Sequence, residues 1–166
     1  MKPLLVIGLG NALVGDDGIG CRVVESLACD QGLRRRADFV VGGSDLLRWD
    51  ELMEGRQRVV VIDALLSRGA PGAVAVYEEP FADIDDRWGH AHLPSAVQAV
   101  KLLKAVTPAL RGTTFTLIGI AVPELRHEAT LSAKVPEIAD RIRRAIRSLD
   151  HGGGEPLSRS AGAARR

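Results

Sequence analysis

The chain reads as an α/β protein: a single-domain three-layer α/β/α sandwich whose central sheet is mostly parallel and has about five strands. Three observations predict this. Apolar runs of strand length alternate along the chain with stretches of helical periodicity, the order that builds a doubly wound sheet with helices on both faces. The runs Leu4–Ile7 and Val59–Ile62 are apolar without alternation, as strands buried on both faces of a parallel sheet are. Hydrophobic residues make up 46% of 166 positions, enough for one core of ordinary domain size.

The elements follow in order. Leu4–Ile7 is the first strand. From Gly18 to about Gln31, apolar residues at Ile19, Val23, Val24 and Leu27 have the spacing of one helical face. Phe39–Val41 is a short second strand running into Gly42-Gly43, and Leu46–Met53 a helix with Ser44 or Asp45 available to cap it. Arg58–Ala64 is the clearest strand and belongs at the sheet's centre. After the turn at Gly69-Ala70-Pro71-Gly72, Ala73–Tyr77 is the fourth strand. Pro80–His92 is polar and irregular, with Asp83, Asp85 and Asp86 as a solvated group. A helix from about Pro94 to Val106 buries Val97, Val100 and Leu103. Thr113–Ile120 is β-rich and reads as the last core strand. Leu131–Leu149 closes the fold as a helix with Ser132 as cap, Pro136 in its first turns and a basic outer face. Residues 1–150 thus form the domain. The stretch 151–166, rich in Gly, Ser, Ala and Arg, has little to bury and is expected to be disordered.

Composition excludes several functions. A net charge of +1 offers no electrostatic footprint for nucleic acid or an anionic membrane. Two Trp, one Tyr and three Phe are too few for platforms that stack single-stranded bases. No apolar stretch approaches the roughly 18 residues of a membrane span, and Met1-Lys2-Pro3 enters the first strand with no secretory leader. The expectation is a cytoplasmic monomer. Cys21 and Cys29 lie eight apart on one expected helix, about 12 Å along its axis. That separation forbids a disulfide, so both are read as reduced, with metal ligation by a thiol as the alternative.

The segment Gly8-Leu9-Gly10-Asn11-Ala12-Leu13-Val14-Gly15-Asp16-Asp17-Gly18-Ile19-Gly20 carries the strongest functional signal. Its glycines allow a sharp turn and close approach. A phosphate loop would present bare amides or a lysine at the helix N-terminus; this one presents two carboxylates, which suit a cation or a polarised water. The dinucleotide fingerprint fails, because Leu13 stands where its third glycine belongs and no acidic residue ends the second strand.

Ligands of such sheets bind at the carboxyl ends of the strands. Asp17 in the first loop, Asp63 at the end of the third strand and His92 before a helix can all reach that edge. Two carboxylates and an imidazole suit Ni²⁺, Zn²⁺ or Fe²⁺ with open positions. Each residue also has a plainer reading: Asp16 and Asp17 as helix caps, Asp63 as a turn acceptor, His92 as a solvated side chain, Glu124 as a turn residue.

Val6-Ile7-Gly8-Leu9-Gly10-Asn11 with Gly15-Asp16-Asp17-Gly18-Ile19-Gly20 resembles the N-terminal signature of the nickel-iron hydrogenase maturation proteases. These are endopeptidases that trim a C-terminal extension from the hydrogenase large-subunit precursor. The likeness continues through Gly42-Gly43-Ser44, Val59–Ala64, Pro71-Gly72, a histidine before a helix, and Leu117–Ile120 leading to Pro123-Glu124. It spans residues 4 to 149 and implies a phosphorylase/hydrolase-like fold. The family's three metal-contacting side chains fall on Asp17, Asp63 and His92, with His90 as the alternative histidine. The resemblance also implies that the nickel arrives with the substrate, already loaded in the precursor.

The activity expected is metal-directed peptide hydrolysis, with Asp16 as a base or as a group orienting Asp17. The chain has neither a His-Glu-x-x-His helix motif nor a Gly-x-Ser-x-Gly elbow. Two other readings stand beside it. One is a non-enzymatic chaperone that holds the metal site or precursor with the same residues. The other is a peptidyl-tRNA hydrolase, which shares a Gly-Leu-Gly-Asn opening but should carry a histidine soon after it and a basic surface.

Overall fold

The computed structural model describes residues 2–67, 69–81, 96–123 and 130–149. Among these, strands β1 (Leu4–Leu9), β2 (Ala37–Gly43), β3 (Arg58–Leu66), β4 (Val74–Glu78) and β5 (Thr114–Val122) form one sheet in the order β2-β1-β3-β5-β4. The first three and β5 are parallel, and β4 runs antiparallel to β5 at the edge. The helices are α1 (Ile19–Ala28), α2 (Gln31–Arg34), α3 (Asp50–Met53), α4 (Ala96–Val106) and α5 (Val135–Leu149). No described helix is long and apolar enough to cross a membrane.

Alternating residues of the central strands feed two cores. Val6, Val60, Ile62, Ile118 and Ile120 pack under α1 and α5, meeting Ile19, Val23, Val24, Leu27, Ile138, Ile142 and Ile146. On the other face Leu5, Ile7, Val59, Val61, Phe115 and Leu117 meet Leu46, Met53 and the Val97, Val100 and Leu103 stripe of α4. Strands apolar at every position are therefore covered twice, and β3 lies at the centre as its sequence requires.

Several details differ from the sequence reading. Asp63 does not end its strand: β3 continues to Leu66, paired with β5 as far as Val122. It is β1 that stops, its last pair with β3 being Gly8 with Ile62. Asp63 therefore lies one residue past the point where β3 loses its neighbour. The first helix is preceded by a 3-10 turn over Gly15–Gly18 and ends at Ala28, so Cys29 lies just beyond it. The short helix α2 was not anticipated; Asp30 caps it, accepting from the Leu33 N–H at 3.0 Å. Leu46–Met53 starts as a 3-10 turn before becoming α3, with Asp45 as cap, accepting from the Leu47 N–H at 3.0 Å. Ser132 is not a cap. It opens a 3-10 turn that runs into α5 at Val135, which leaves Pro136 in the helix's first turn. The acidic group at 83–86, His90, His92, Glu124 and the tail from 151 lie outside the described residues.

Candidate active site

The order β2-β1-β3 makes the β1/β3 boundary a topological switch point, where the crevice of a doubly wound sheet opens. Two of the three expected metal contacts stand there. Asp17 lies in the 3-10 turn leading into α1, buried. Its Oδ2 accepts the Asn11 N–H at 2.8 Å, which folds the loop back onto the carboxylate. Asp63 is half-buried on β3, and its Oδ1 accepts the N–H of Ala64 at 2.8 Å.

Close backbone packing places these groups. A Cβ on Gly20 would stand 2.4 Å from both the Leu9 and the Ile62 carbonyl oxygens, so only glycine lets the first turn of α1 rest across β1 and β3. Gly10 has φ of +125°, and a Cβ there would lie 1.8 Å from the Asp17 carbonyl oxygen. These glycines serve the chain's own close contacts, whatever else approaches the loop.

Electrostatics mark the pair. Burial pushes the Asp63 carboxyl up to about 7; the Ala64 amide opposes this, and the nearby charge of Asp17 adds to it. The Asp17 charge thus acts on Asp63 in the same direction as burial, each keeping the proton on the Asp63 carboxyl. Beside them Cys21 is buried, its Sγ donating to the Gly8 carbonyl at 3.3 Å or the Gly10 carbonyl at 3.4 Å. Burial pushes this thiol up against an opposing backbone bond at Gly43, and the charges of Asp63, Glu25 and Asp17 add to the rise. A thiol so held ties the first turn of α1 to the end of β1. Cys21 and Cys29 are both free.

Asp16 faces elsewhere. Its Oδ2 accepts from the Thr130 hydroxyl and its Oδ1 from the Leu131 N–H at 2.9 Å, with the Arg22 guanidinium 3.9 Å away. Adjacent acidic residues thus divide their work: Asp17 turns to the crevice loop, while Asp16 ties that loop to the segment entering α5. Thr130 had no signal in the sequence, because a hydroxyl 114 positions away has no spacing to betray it. Asn11 had one, since an amide following a glycine in a turn is a customary local acceptor. Among the described residues no group of three His, Cys, Asp or Glu side chains is placed to hold a metal.

No protein-family profile matches the chain. Hydrogenase 2 maturation protease of Escherichia coli is 26% identical over 166 residues, covering 95% of this chain and 97% of its own length. Protein FrxA of Pyrococcus furiosus is 26% identical over 140 residues, covering 82% of this chain and 96% of that protein. In three dimensions the chain is similar to the [NiFe] hydrogenase maturation protease HybD from Thermococcus kodakarensis. The TM-score is 0.66 at 28% identity, over 87% of this chain and 99% of that one.

Proposed function

We infer that this chain, a member of the [NiFe]-hydrogenase maturation proteases, is an endopeptidase that removes the C-terminal extension of a hydrogenase large-subunit precursor. The observation that carries this is likeness over nearly the whole length of both partners, in sequence to one maturation protease and in fold to another. A loop that brings a carboxylate to the switch point supports it.

The precursor brings its nickel as part of the substrate. Asp17, Asp63 and His92 take open positions on that ion, with His90 as the alternative to His92. Ligation fixes the precursor against the protease, so recognition of the loaded metal also positions the scissile bond. A water polarised at this site attacks the peptide carbonyl. Of the two roles open to Asp16, its geometry supports orientation: both oxygens already accept hydrogen bonds from the 130–131 segment. We place the reaction in the cytoplasm, with the chain acting as a monomer. The chaperone and peptidyl-tRNA hydrolase readings are not favoured, because the similar proteins are named as proteases.

The test is the mass of a nickel-loaded large-subunit precursor from the same host, followed after mixing with the purified chain. A discrete C-terminal loss is expected with wild type. It should fail with metal-free precursor, and fall by at least about 100-fold with Asp17→Asn, Asp63→Asn or His92→Ala, as loss of a positioning group does. Binding without any loss of mass would replace the protease with the chaperone.

A further inference from the structure

Leu13 is 86% exposed, more than any other large apolar side chain among the described residues. It occupies the third position of the turn Asn11–Val14, closed by the Val14 N–H on the Asn11 carbonyl at 3.0 Å. Leu13 is not in the left-handed backbone region, so the turn admits most residue types there and does not itself call for a large apolar side chain.

The loop is not free to fold Leu13 inward. The Leu13 N–H donates to Asn11 Oδ1 at 3.0 Å, and the Asn11 N–H to Asp17 Oδ2 at 2.8 Å. The Asp17 N–H donates to the Val14 carbonyl at 2.9 Å, and the Gly10 N–H to the Gly43 carbonyl at 2.9 Å. One residue, Asn11, therefore bridges the exposed leucine and the candidate metal carboxylate. An apolar side chain already held in place loses little freedom when a partner covers it.

We propose that Leu13 is a specificity-determining contact for the precursor: an apolar anchor that enters a recess on the folded large subunit beside the metal Asp17 engages. The proposal rests on the endopeptidase reading. The occupant is the precursor, not a second copy of this chain, because whatever reaches Asp17 meets the turn that carries Leu13, and a self-interface there would cover the site.

The experiment is steady-state cleavage of the host's nickel-loaded precursor by the full chain and three variants. Leu13→Ser suits the turn, Leu13→Met restores apolar bulk, and Val106→Ser changes a 65% exposed apolar residue on α4. Leu13→Ser is expected to raise KM by about tenfold or more with kcat retained, the signature of lost uniform binding. Leu13→Met should stay near wild type and Val106→Ser at wild type, with all thermal midpoints unchanged. An unaltered KM in Leu13→Ser, or a changed one that follows a lowered midpoint, overturns the anchor while the protease stands. A wild-type chain that cuts none of the host's precursors removes the protease reading and the anchor with it.

Discussion

Asp63 shows how a residue's place in the sheet can escape the sequence: β3 runs three residues beyond it, to Leu66. An aspartate after four buried apolar residues is visible in the sequence. That its strand runs on while the neighbour stops is not, because strand ends are set by pairing partners. The consequence is measurable. With a folded value of about 7 against an ordinary 3.8, Asp63 holds its proton more tightly folded than unfolded. Its contribution to stability is then full below about pH 4 and lost as pH rises through about 7. Urea midpoints of the metal-free protein should therefore carry a falling component between pH 4 and 7 that Asp63→Asn removes. Identical profiles for the two proteins would show that Asp63 ionises as a solvated aspartate does. Asp38 has the opposite sign: the Arg56 hydrogen bond holds it below the usual range, so its contribution is lost only in acid, below about pH 4.

At the scale of elements, the contact between α1 and the strands decides where the site loop lies. Helix propensity alone favours Gly20→Ala by about 1 kcal/mol. The structure predicts the reverse, since the new methyl would meet two backbone carbonyl oxygens at 2.4 Å and neither can retreat without moving β1 or β3. Overpacking of this kind costs about 1–3 kcal/mol, so the denaturant midpoint should fall. A rise would mean that the helix shifts freely on the sheet. Capping was legible where the acceptor is local, as at Asp45, and not at Ser132, where the chain enters α5 through a 3-10 turn.

For the whole molecule, both cores hang on the same strands, so the layers should unfold together. Ile118 and Leu117 are adjacent on β5 and point into opposite cores. Truncating either to alanine should cost about 2–5 kcal/mol. Far-ultraviolet circular dichroism and tryptophan fluorescence should still give coincident urea transitions in both variants. Separated transitions in either one would show that the helical layers are independent.

The sequence by itself determined the α/β class, the central place of β3, both faces of apolar residues and the carboxylate loop. All of these are written in periodicities and residue types within a few positions of one another. Only the tertiary structure decided that β4 runs antiparallel, that Asp16 and Asp17 face different ways, and that Leu13 is held in solvent by the turn that sets Asp17. These depend on hydrogen bonds and contacts between residues brought together by folding, such as Asp16 with Thr130 or Gly20 with Ile62. Sequence spacing carries no record of such pairs, because their free energy comes from burial and geometry that exist only once the layers have closed.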